Sequence, residues 1–154
     1  MSPRRYAEGT RVPVDRSLQQ IRALLLAHGA THFAYGEAPE SGGVQFALNG
    51  LHYRFTIKRP TWPEFEHTYQ LPKRVNRTNA VEQEWQRRWR ARHLWVKAML
   101  EFAEVEPDSF ASAMLAHVVL PDGSTLGAWV LPQLEAAYSD GKMPPLLLGS
   151  GPPQ

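Results

Sequence analysis

Asn49-Gly50 constrains this chain more than any other feature. On one side Val44, Phe46 and Leu48 alternate with Gln45 and Ala47; on the other, Leu51, Tyr53, Phe55 and Ile57 alternate with His52, Arg54, Thr56 and Lys58. Two strictly alternating runs joined by Asn-Gly specify a β-hairpin, because a type I′ turn needs positive φ at both central residues. A two-residue loop sets the register: Leu48 opposite Leu51, Phe46 opposite Tyr53, Val44 opposite Phe55. One face of the hairpin is therefore apolar and must be covered. The other carries Gln45, His52, Arg54, Thr56 and Lys58.

Helices follow from the rest of the pattern. Leu18, Ile21, Leu24 or Leu25, and His28 recur at helical spacing from about Asp15 to His28, with Ser17 and Gln20 as a capping box and Gly29 as the stop. Thr31–Tyr35 reads as a third strand, and 36–43 as a turn-rich linker. A long helix runs from about Ala80 to Glu104 or Glu106, capped by Asn79 with Glu82 three residues on. On it Trp85, Trp89, Val96, Met99, Leu100 and Ala103 share one face; Arg87, Arg90 and Lys97 lie on the far side, and Arg88 and Arg92 flank the tryptophan stripe. Ser109 to about Val119 and Thr125–Tyr138 read as further helices, separated by the turn Leu120-Pro121-Asp122-Gly123. The expected fold is α+β. An antiparallel sheet of about three strands, with the Asn-Gly hairpin central, packs against the long helix and shorter N- and C-terminal helices. Residues 1–12 read as a flexible basic arm, 13–148 as one domain with a long loop at 59–78, and 149–154 as a disordered tail.

Several function classes are excluded or disfavoured. No apolar run approaches the ~20 residues of a membrane helix, and no apolar segment follows the N-terminus as in a secretory signal. The chain has no cysteine, which removes disulfides, thiolate metal sites and thiol catalysis and suits a reducing cytoplasm. His52, His67, His93 and His117, with Glu64 and Glu66, lack metal-ligand spacing. There is no phosphate-binding glycine loop and no nucleophile elbow. The chain is expected not to be an enzyme and to carry no metal or cofactor.

Charge is the positive clue. The net charge of +2 hides a net +6 over residues 73–97 and a net −6 over 98–154. Such asymmetry points to an anionic partner for the middle, or to self-association. Binding a single strand needs cations that follow phosphates and flat rings on which bases stack. The candidate cations are Arg54, Lys58, Arg59, Lys73, Arg74, Arg77, Arg87, Arg88, Arg90 and Arg92; the candidate stacking rings are Tyr53, Trp62, Tyr69 or a tryptophan of the long helix. The plainer alternative makes the tryptophans core and the arginines a solvated face. The acidic, apolar last third, with Met114, Leu115, Val118, Trp129 and Leu131, either packs on the hairpin and long helix or meets a neighbour's basic region.

Val12-Pro13-Val14-Asp15-Arg16-Ser17, His28 through Gly36, Leu94 through Glu101, and Leu120-Pro121-Asp122-Gly123 onward to Leu146 together resemble a family of small proteins encoded by phages and prophages. That resemblance implies a phage context in a bacterial host cytoplasm and no catalytic residues. The order of elements is also similar, in architecture only, to single-strand annealing proteins of the Rad52 type. The leading expectation is a phage-type protein that binds single-stranded DNA with little sequence preference in replication or recombination, with a homo-oligomer as one form it can take. The alternative is a protein-interaction module that inhibits or redirects a host factor.

Overall fold

The computed structural model describes residues 6–68 and 76–142. Its elements are α1 (Val14–Ala27), β1 (Thr31–Ala38), β2 (Ser41–Leu48), β3 (Leu51–Lys58), α2 (Trp62–Thr68), α3 (Arg77–Val105), α4 (Ser109–Ala113), a 3-10 turn (Leu115–His117) and α5 (Leu126–Asp140). The strands form one antiparallel meander in the order β1-β2-β3. The fold is therefore α+β, with helices at both ends of the chain and a long helix against the sheet.

The hairpin has the register its loop dictates: Leu48 pairs with Leu51, Phe46 with Tyr53 and Val44 with Phe55. Asn49 and Gly50 take φ of 51° and 80°, the left-handed values a type I′ turn requires. β1 is longer than its sequence suggests. The stretch 36–43 is not a linker: β1 continues to Ala38, a tight turn at Pro39-Glu40 follows, and Ser41 opens β2. Glycines at 36, 42 and 43 hid this strand, since glycine is a poor strand former. Gly42 has a packing reason. A Cβ there would lie 3.0 Å from the Trp89 ring and 3.2 Å from that of Trp85, so any larger residue would push the two indoles back from the sheet.

The apolar sheet face is covered as required. Val44, Phe46, Tyr53 and Phe55 are buried with Ile21 and Leu25 of α1, Trp85, Trp89, Val96 and Leu100 of α3, and Phe110 and Met114 beyond it, in one cluster. α1 and α3 run in the same direction, with Gln20 bonded to Arg90 and His28 to Glu104. Ser17 does not cap α1. That helix starts at Val14, after Pro13 at φ −58°, and Ser17 is buried one turn in. α3 likewise starts one turn before the expected Asn79. Asn76 is the cap, its side chain accepting from the Asn79 N–H at 3.2 Å. Both asparagines are cap formers, and the upstream one wins because it adds a turn of helix.

The loop at 59–78 contains α2, and residues 69–75 fall outside the described part, as do residues 1–5 of the expected arm and the expected tail at 149–154. The expected helix over 109–119 stops at Ala113. After the 3-10 turn, Val118 bridges Tyr53, and the Val119 N–H donates to the His52 carbonyl at 2.8 Å. β-branched Val118-Val119 favours this extended state. Thr125 caps α5 as expected, its hydroxyl accepting from the Ala128 N–H at 3.3 Å. Pro132 lies inside α5 without ending it. Among the described residues, no helix is long and apolar enough to cross a membrane.

Candidate functional site

The arginines of α3 are spaced so that each meets a different neighbour. Glu84 is buried, and its carboxylate accepts from Arg87 Nε and Nη2, both at 2.8 Å, and from Arg88 Nε at 3.3 Å. Arg88 also donates to the Lys58 carbonyl at 2.7 Å and reaches Glu64 at 3.4 Å, while Lys58 stands 3.7 Å from the same Glu64. A buried carboxylate is stable only when paired and hydrogen-bonded. These contacts therefore form a structural tie between α3, the end of β3 and α2. Arg59 is committed too. It meets Glu37 at 2.6 Å, with its guanidinium 5.1 Å from the Trp85 ring centroid.

The remaining cations point different ways. Arg92 is folded inward over Phe55 (4.9 Å) and Trp95 (4.6 Å), and this burial holds its pKa below the usual guanidinium value. Arg90 bonds to Gln20 of α1. Arg54 is on the outer sheet face, donating to the Gly123 carbonyl at 2.5 Å. Arg77, the first residue of α3, is exposed and lies 5.1 Å over the Trp62 ring. Thus Lys58, Arg87 and Arg88 gather around their own subunit's carboxylates, and Arg54, Arg77, Arg90 and Arg92 are spread over separate surfaces. Lys73, Arg74 and Tyr69 lie outside the described residues.

Most of the candidate stacking rings are inside the protein. Tyr53 is 1% exposed and sits between Phe46 (5.4 Å) and Phe110 (5.5 Å), where no base can reach it. Trp85 and Trp89 meet edge to face at 5.6 Å in the core. Trp95 packs on Phe55 and His117. Trp62 and Trp95 are both half-buried, and the Trp62 indole N–H donates to Glu66 at 3.1 Å.

Two kinds of surface were not anticipated. The outer sheet face holds an open groove of about 430 Å³, floored by Ala34, Gly36, Ala38, Ser41 and Gly43 and edged by Gln45, Arg54 and Thr56. The other is apolar. α5 buries only Gly127, where a Cβ would come within 2.8 Å of the Ala116 carbonyl oxygen; Trp129, Leu131 and Tyr138 are exposed. The last third therefore does not pack on the hairpin and long helix as a unit. Met114 enters the core, and α5 rests on the 3-10 turn instead. A signal was present: Leu126–Asp140 has no basic residue, two acids, and apolar residues all around the helix.

The histidines do not assemble a centre. His32 and His52 are 6.2 Å apart, and among the described residues no three His, Asp or Glu side chains could hold a metal ion. Burial, with Arg90 and Lys97 nearby, pushes the His93 pKa down; burial, with Arg92, does the same for His117. No protein-family model matches this chain, and neither a curated protein nor a solved structure is significantly similar to it.

Proposed function

We propose that this chain is a protein-interaction module whose C-terminal helix, α5, is its docking element. One observation carries the reading: α5 is apolar, carries no basic residue, and buries a single residue of its own fold while exposing Trp129, Leu131 and Tyr138. Large aromatic residues are the side chains that most often anchor interfaces, and laying an apolar helix into a groove is a common recognition mode. Glu135 and Asp140 on the same helix favour a partner cleft with an apolar floor and a basic rim. The phage-type resemblance makes a host-cell protein the class of partner to look for.

The test places a photo-crosslinking amino acid at Leu131 or Tyr138 in cells, with Gln19 on the exposed side of α1 as control. A discrete protein adduct is expected at the α5 positions, which share one side of the helix, lost from each when the other is changed to Asp and absent at Gln19. If neither α5 position yields one, the reading fails.

Single-strand binding is the second reading, supported by the open outer sheet groove with Arg54, Gln45 and Thr56 on its edge. Fluorescence anisotropy with a labelled oligonucleotide at ~50 mM salt separates the two, because phosphate contacts are strongest at low salt. Binding that Arg54→Ala abolishes would favour the strand over the protein partner.

A further inference from the structure

We infer that two copies of this chain pair through the solvent face of α3, antiparallel and two-fold symmetric about Ala98. The face opposite the core is not polar. Leu94, Phe102 and Val105 are 42%, 53% and 77% exposed, and Ala98 is exposed between them. At about 100° per residue these four occupy roughly 80° of the helix surface, a continuous stripe down its C-terminal half. On the core side the same helix buries Trp85, Trp89, Val96 and Leu100, so the stripe is a second apolar face that the chain's own fold leaves open.

The charges beside the stripe select the occupant. One flank carries Arg90 and Lys97 near its start and Glu101 and Glu104 near its end. Glu104 meets His28 at 3.2 Å, yet its side chain stays 64% exposed. A flank that changes sign along its length complements itself only when a second copy runs the other way. A two-fold pairing sets the same patch against itself. Centred on Ala98, it puts Leu94 opposite Phe102 and Ala91 opposite Val105. It also lays Arg90 and Lys97 along the second copy's Glu104 and Glu101. A parallel two-fold pairing would set this flank against the other side of the stripe, and these charges would not meet. The smallest stripe residue falls at the axis, where two helices approach most closely.

This surface is separate from α5, and the two are tested separately. Sedimentation equilibrium of the full chain should show a concentration-dependent mass of twice 17.4 kDa. Leu94→Asp should shift it to the monomer. Lys97→Glu alone and Glu101→Lys alone should each weaken pairing several-fold, and the double exchange should restore it. Because the two residues are also i, i+4 neighbours on one helix, far-UV circular dichroism of both single variants should match the parent, which separates lost pairing from a melted helix. The absence of cysteine allows a direct geometric check. Ala98→Cys should give a disulfide-linked dimer under mild oxidation, whereas Gln19→Cys should not. A monomer at all concentrations, a dimer that ignores the charge exchange, or a dimer lost with Leu131→Asp but kept with Leu94→Asp would each overturn the inference. So would an Ala98→Cys chain that links to a different protein in preference to itself.

Discussion

The body of the molecule and its C-terminal helix solve the same problem in opposite ways. In the body, α1, the sheet, α3 and α4 enclose a single cluster in which Ile21, Leu25, Val44, Phe46 and Trp89 are wholly or almost wholly buried. α5 is at least as apolar, yet it leans on the 3-10 turn and leaves Trp129, Leu131 and Tyr138 in water. Hydrophobic burial is the dominant favourable term in folding. The first region therefore accounts for the chain's stability, and the second holds apolar area that its own fold does not use. The contrast teaches that aromatic content alone does not locate function here. Trp85, Trp89 and Trp95, which looked like strand-binding rings, pack in or against the core, whereas Trp129 is exposed on α5 and Trp62 stays half-open on α2.

The sharpest way to break this contrast is to truncate one tryptophan in each region. Trp89→Ala empties a fully buried site between Trp85, Tyr35 and Gly42 and should cost about 3–5 kcal/mol. Trp129→Ala should stay within about 0.5 kcal/mol. Urea unfolding of both variants measures the difference, and comparable losses would mean that α5 is part of the core. The glycines give a finer version. Gly42→Ala drives a methyl into two rigid indoles and should cost about 1–3 kcal/mol. Gly127→Ala meets the Ala116 backbone at 2.8 Å and can relieve the clash only by lifting the start of α5. Its effect should be local: faster amide exchange in α5, with little change in the global unfolding midpoint. Slow exchange throughout α5 in Gly127→Ala would show that helix to be more firmly seated than its burial implies.

How much of this was legible in the sequence depended on the range of the interaction. Alternation and the Asn-Gly turn are local, and they fixed the pairing of β2 with β3 residue by residue. Helix geometry set Arg88 and Arg92 beside the tryptophans, but that they turn to the Lys58 carbonyl and to the Phe55 ring rather than outward as phosphate ligands was not readable. What escaped was long-range. Gly42 looks like linker until Trp85 and Trp89, more than forty residues away, are seen against it. Arg87 and Arg88 look like free phosphate ligands until Glu84 is seen to be buried beneath them. That pairing also has a local component at three and four residues, which ordinary helix-face reasoning could have found. How much of α5 its own fold buries is a tertiary property, although its composition, with two acids, no base and apolar residues on every side, is visible in the sequence.

The smallest expected effect lies on the seam between the two regions. His117 ends the 3-10 turn on which α5 rests, and its ring stands 5.4 Å from Trp95 and 6.4 Å from Phe55. Burial first, and then the charge of Arg92, hold its pKa below the ordinary histidine value, with a hydrogen bond from its ring N–H to the Arg54 backbone pulling the other way. His93, under Arg90 and Lys97, is shifted in the same direction. The unfolded chain takes up these protons near pH ~6.5 while the folded chain still refuses them. The histidine contribution is therefore intact above that value, and stability falls as the pH drops from about 7 toward the lowered folded-state pKa values. Denaturant midpoints measured across this window should decline for the parent chain. The decline should be shallower for His117→Gln and shallower again when His93→Gln is added. Because His117 touches the body through Trp95 and its neighbour Ala116 meets Gly127 of α5, acid should quicken amide exchange in the 3-10 turn and α5 before it affects β2 and β3. Simultaneous loss of protection in all of these segments would show that the seam is not a boundary and that the two regions unfold as one.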